Sequence, residues 1–130
     1  MIVVDASALL EVLLRTPAAA AVAARLFDAE DTLHAPHLID VEVAQALRRV
    51  ALAGRLDPAR GRAALSIVAD LPLRRYPHTE LLPRVWQLRD GLTAYDALYV
   101  ALAEMLDAPL VTRDRRLAKA AGHGARVELV

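Results

Sequence analysis

The chain has no cysteine, which excludes a disulfide framework, a thiolate zinc site and a thiol nucleophile, and makes a reducing compartment, the cytosol, its expected setting. Lysine is almost missing: Lys119 stands alone among sixteen basic residues, and the others are arginine. Genomic base composition explains that preference more simply than phosphate binding does. There is no excess charge of either sign, because sixteen acids balance the sixteen bases. Any attraction to nucleic acid must therefore be local. Aromatic residues make up only 4%, and the five glycines are scattered, so no glycine-rich loop is available to cradle a phosphate. No apolar run reaches membrane-spanning length, and Met1-Ile2-Val3-Val4-Asp5 has no basic segment before it. Neither a membrane span nor a signal peptide is expected.

What is present is a single-domain length, 130 residues, with 56% hydrophobic residues and a mean hydropathy of +0.31. That is enough to bury a core without staples, and residues 1–130 are expected to form one domain. Alanine accounts for part of the hydropathy, and some apolar surface is expected to be reserved for another chain.

The runs Ile2-Val4 and Leu110-Val111 are short and continuous, the pattern of central parallel strands covered on both faces. Weaker strand signals lie at Thr32-Ala35, Leu73-Tyr76 and Arg126-Leu129. Helical patterns fill the intervals: Ala18-Phe27, a stripe of Ile39, Val43, Ala46, Leu47 and Val50, a segment opened by Asp57-Pro58, Glu80-Arg89, the face Leu98, Ala101, Leu102 and Met105, and Arg115-Ala121. Capping residues, Pro at first helical positions and Gly at helix ends bound them. The order predicts a three-layer α/β sandwich with a mainly parallel sheet.

Four acids fall at structural transitions: Asp5 after the first strand, Glu42 on a helix, Asp96 opening a helix, and Asp114 after Leu110-Val111-Thr112. Each has a plain alternative. Asp5, Asp96 and Asp114 can cap helices, Asp96 within a box led by Thr93, and Glu42 can be a solvated boundary residue. Their joint placement argues otherwise, because ligands in a parallel sheet bind beyond the carboxyl ends of the strands. Clustered carboxylates need a cation between them, and oxygen-only ligation favours Mg²⁺ or Mn²⁺ over zinc. The four histidines lack a partnered nucleophile and are expected to be exposed or hydrogen-bonded. Tyr95 and Tyr99 are expected to pack together at their i, i+4 spacing, and Trp86 to lie in the core.

The segments Val3-Val4-Asp5-Ala6-Ser7-Ala8-Leu9, Leu92-Thr93-Ala94-Tyr95-Asp96-Ala97-Leu98-Tyr99-Val100-Ala101-Leu102-Ala103 and Leu110-Val111-Thr112-Arg113-Asp114-Arg115-Arg116-Leu117, with Glu42, resemble the PIN-domain ribonucleases, specifically VapC-type toxins of prokaryotic toxin–antitoxin pairs. The resemblance covers the whole chain. It implies a PIN-like α/β/α sandwich with about five strands and a Mg²⁺- or Mn²⁺-dependent endoribonuclease site at Asp5, Glu42, Asp96 and Asp114. Within that site Asp5 and Asp96 are expected as direct ligands, with Glu42 and Asp114 holding the ion through water or binding a second one. It also implies supporting roles for Ser7 and Thr112, a homodimer, an RNA substrate and a VapB-like antitoxin that occludes the site. In one departure, Arg115 and Arg116 follow the fourth acid where some relatives carry another acid or amide, which bears on a second metal. Arg15, Arg48, Arg49, Arg113, Arg115 and Arg116 are candidate steering charges for RNA.

Two other readings compete. A Mg²⁺-dependent phosphoacceptor, receiver-like or haloacid-dehalogenase-like, also places an Asp after its first strand. It requires a second early acid where Ser7 stands, or a late strand-end lysine that is absent. A non-catalytic module with the same fold is disfavoured because all four acids are kept.

Overall fold

The computed structural model describes Met1–Val130. The chain runs β1 (Ile2–Val4), α1 (Ala6–Leu13), α2 (Ala19–Leu26), β2 (Leu33–Pro36), α3 (Leu38–Leu52), α4 (Pro58–Asp70), β3 (Leu73–Tyr76), a 3₁₀ turn (Thr79–Leu81), α5 (Leu82–Gln87), α6 (Ala94–Leu106), β4 (Leu110–Thr112), α7 (Arg115–Lys119) and β5 (Val127–Leu129). The five strands form one sheet in the order β3-β2-β1-β4-β5, and every pairing is parallel.

The two most apolar runs take the centre. Ile2, Val3, Leu110 and Val111 are each 0% exposed, as strands with helices on both faces require. The outer strands β3 and β5 are partly exposed. Right-handed crossovers set α1 to α4 on one face and α5 to α7 on the other. In keeping with this, α1 packs on α2 and α3, and α5 packs on α6. The result is a three-layer α/β/α sandwich.

Local chemistry explains the helix boundaries. Asp57 accepts a hydrogen bond from the Ala59 N–H at 2.8 Å, and Pro58 occupies the first turn of α4. Thr93 likewise accepts from the Asp96 N–H at 3.2 Å to start α6. The last helix ends at Lys119, short of the expected Ala121.

Three expectations need correcting. Trp86 is 68% exposed; its ring packs under the Arg89 guanidinium at 4.8 Å, because Leu81, Val85 and Leu88 form the buried stripe of that segment and residue 86 turns away from it. Met105 is 51% exposed, lying beyond the stretch Ala97–Ala103 of α6 that is buried on every side. Tyr95 and Tyr99 do not pack as a pair: Tyr99 is fully buried and Tyr95 is 62% exposed.

Candidate active site

Because β2 and β3 lie on one side of β1 and β4 and β5 on the other, the connections diverge at the carboxyl ends of β1 and β4. That is the crevice where ligands collect in open parallel sheets. Asp5 follows β1 and Asp114 follows β4. The helices run back antiparallel to the strands, so α3 and α6 begin at this same edge, and they carry Glu42 in the second turn and Asp96 in the first.

Asp5 is held tightly and is only 7% exposed. Its Oδ2 accepts hydrogen bonds from Thr112 Oγ1 at 2.8 Å and from Ser7 Oγ. Both hydroxyls are anchored in turn, since Thr112 Oγ1 accepts from the Asp114 N–H and Ser7 Oγ from the Arg113 N–H, each at 3.0 Å. Ser7 and Thr112 thus both stand against the Asp5 carboxylate. The Asp5 carboxylate makes no capping bond to α1, so the capping alternative for Asp5 does not describe this fold.

Glu42 is no solvated boundary residue. Its Oε1 accepts from Tyr99 Oη at 2.6 Å. Burial first, then the charges of Asp5 and Asp96, raises its pKa against the opposing Tyr99 bond. Asp96 is also raised, by burial and then by Asp5 and Asp114, with Thr93 and Arg116 opposing. Asp114 is the exception, because Arg116 holds its carboxyl below the usual range. The Asp114 side chain accepts from the Arg116 N–H at 2.8 Å and from its guanidinium at 3.0 Å. Burial and the neighbouring Glu42 push the Tyr99 phenol far above its ordinary value, so it remains a donor at any working pH. Tyr99 is the site residue that sequence reasoning missed; its i, i+4 spacing from Tyr95 suggested packing alone.

All four acids line one open cavity of about 450 Å³, together with Ser7, Arg49, Tyr95 and Arg116. Of the candidate steering charges, Arg49 and Arg116 are therefore at the site, whereas Arg113 is tied to Glu11 at 3.2 Å and to the Val130 carbonyl. In the rotamers present, no three acidic or imidazole side chains converge on a common point. The donor set still suits a hard cation. Asp5, Glu42 and Asp96 form no salt bridge, and Mg²⁺ binds through one or two carboxylates while keeping several waters. A second cavity of about 520 Å³ lies elsewhere, but its charges are already matched, Arg84 with Glu104 at 2.7 Å and Arg126 with Asp107 at 3.8 Å.

The histidines divide. His34 is buried between Thr32 at 2.8 Å and Tyr76 at 2.7 Å, and His78 Nε2 accepts from the Leu38 N–H at 3.0 Å. His123 departs from expectation, with both ring nitrogens buried and unpartnered. None lines the acidic cavity.

A family model for the PIN domain matches residues 2–123. The chain is 46% identical over 130 residues to Ribonuclease VapC12 of Mycobacterium tuberculosis, covering 100% of this chain and 99% of that protein. It is 50% identical over 117 residues to Ribonuclease VapC9 of the same organism, covering 90% and 88%. Among solved structures, PAE2754 from Pyrobaculum aerophilum superposes with a TM-score of 0.69 at 29% identity, over 96% of this chain and 81% of that one. VapBC2 from Rickettsia felis, bound to a DNA fragment from its promoter, gives 0.72 at 14% identity, over 99% and 98%, a likeness of fold. A phosphoacceptor domain is excluded by this match: the chain belongs to the PIN domain family, among the VapC proteins.

Proposed function

We propose that this protein is a divalent-metal-dependent endoribonuclease that serves as the toxin of a VapBC-type pair, restraining translation or growth by cutting RNA. The observation that carries the reading is one cavity at the sheet's switch point, lined by acids from four separate elements, three of them without a basic partner. The ribonuclease names of relatives at 46% and 50% identity support the substrate class.

Asp5, Glu42 and Asp96 would hold a Mg²⁺ or Mn²⁺ ion. Such an ion supplies Lewis acidity, lowering the pKa of water and offsetting charge that develops on a scissile phosphate. The protein's part is positioning. Ser7 and Thr112 fix Asp5, Tyr99 fixes Glu42, and the Thr93 cap fixes the start of α6 under Asp96. Arg49 and Arg116, at the cavity, meet the RNA backbone. No cysteine or histidine lines the cavity, and in this reading the attacking species is water.

The partners are an RNA strand, a VapB-like antitoxin and a second copy of the chain in a homodimer, all in the cytoplasm. Exposed apolar side chains such as Val41 at 66%, Leu82 at 51% and Trp86 at 68% supply surface for the protein partners. A cleavage assay on single-stranded RNA tests the reading: activity is lost in EDTA, restored by Mg²⁺ or Mn²⁺, and silenced by saturating antitoxin. Undiminished cleavage in excess EDTA by rigorously purified protein sinks it.

A further inference from the structure

Asp114 differs from the other three acids in being already paired. Its Oδ1 accepts from the Arg116 N–H at 2.8 Å and more weakly from Nε at 3.4 Å, and its Oδ2 accepts from Nη2 at 3.0 Å. Arg116 lines the same cavity as the acids, and its charge also acts on Asp96. No salt bridge neutralises Asp5, Glu42 or Asp96. The cavity therefore has an uncompensated half and a compensated half.

Phosphoryl chemistry with two ions places them about 3.5–4 Å apart, each neutralising one of the two oxygens that exchange partners. A second ion in this cavity needs the Asp114 oxygens, and Arg116 holds both. Resting on the reading above, we propose that Arg116 stands in for a second divalent cation, so that the site takes one Mg²⁺ or Mn²⁺ per chain, on the Asp5, Glu42 and Asp96 side. Arginine suits that role, because its planar fork grips a carboxylate while further N–H groups remain for a phosphate oxygen. Nη1 of Arg116 makes no hydrogen bond within the protein. The Arg116 side chain is 89% exposed, so the pair is modest in strength and does not seal the position. Removing it is expected to tighten a second ion by about tenfold, from the lost ion pair and the relieved like-charge repulsion together.

The test is a Mn²⁺ titration of the RNA-free protein, with free Mn²⁺ read by electron paramagnetic resonance, for wild type, Arg116→Ala, Arg116→Gln and the neighbouring Arg115→Ala. The expected result is one ion for wild type and Arg115→Ala, and a second ion for both Arg116 variants. Circular dichroism melts establish that each variant is folded. Two ions on wild type overturn the inference. One ion on every variant with unchanged affinity also overturns it while leaving the nuclease reading intact, and a gain in Arg115→Ala equal to that in Arg116→Ala assigns the effect to net charge and overturns it too. No binding by any of the four overturns the cation site itself, and this inference with it.

Discussion

Tyr99 Oη lies 2.6 Å from Glu42 Oε1, joining α6 to α3 across 57 residues of sequence. The phenol is wholly buried, so the bond has no competing water on the tyrosine side. Tyr99→Phe removes the donor while keeping the ring. A hydrogen bond to a charged acceptor is worth about 1.5–3 kcal/mol, and partial solvation of Glu42 brings the expected stability loss to the lower end of that range. RNA cleavage should fall by at least tenfold as Glu42 loses its orientation. Urea melts and initial rates measured side by side check this, and full activity in the Phe variant refutes the positioning role.

Asp5→Asn and Asp96→Asn should each reduce RNA cleavage by a hundredfold or more and abolish growth inhibition on expression, with the fold retained. Thr112→Val, which deletes the hydroxyl that orients Asp5, should give an intermediate loss of activity. Colony counts on induction, together with circular dichroism spectra, decide it: two fully toxic Asn variants remove these acids from the mechanism.

In EDTA the two ends of the cluster should titrate with opposite sign. Asp96 has its pKa raised from the ordinary 3.8, chiefly by burial, so it costs nothing below that value and subtracts stability as pH rises through its folded pKa. Asp114 is lowered from 3.8 by Arg116, so it adds stability above that value, which is lost as pH falls through its folded pKa. Asp96→Asn should therefore melt at or above wild type at pH 7, and Asp114→Asn slightly below it, with both gaps closing toward acid. Melting curves from about pH 2 to pH 8 check the signs, because the Asp114 gap closes only below 3.8.

Mg²⁺ at a hundredfold excess over its dissociation constant should add about 2.7 kcal/mol, raising the melting temperature by roughly 10 °C for a chain of this size. The Asp5→Asn variant should show little of that shift. Equal shifts in both proteins place the ion elsewhere.

The central strands were legible because Ile2-Val4 and Leu110-Val111 are short, uninterrupted apolar runs, and a fully buried parallel strand has no polar face to alternate. Asp5 and Asp114 followed from those strand ends. Glu42 was harder: its neighbours Ile39 and Val43 place it beside the core, but its partner Tyr99 comes from another helix, and no local pattern encodes that meeting. Size and apolarity alone would bury Trp86, which is exposed. The buried stripe Leu81, Val85 and Leu88 already implied that position 86 faces away. The Asp114–Arg116 pair is local, and the sequence shows its members without showing that the contact reaches into the cavity.

The central strand of the sheet, β1, precedes its four companions in chain order. While the chain is being synthesised, β1 has β2 as its neighbour early, but its other flank stays bare until β4 emerges more than a hundred residues later. Thr112, which fastens Asp5, and Asp114 arrive with that strand. A product cut short before residue 110 lacks both the clasp on Asp5 and the strand that buries it.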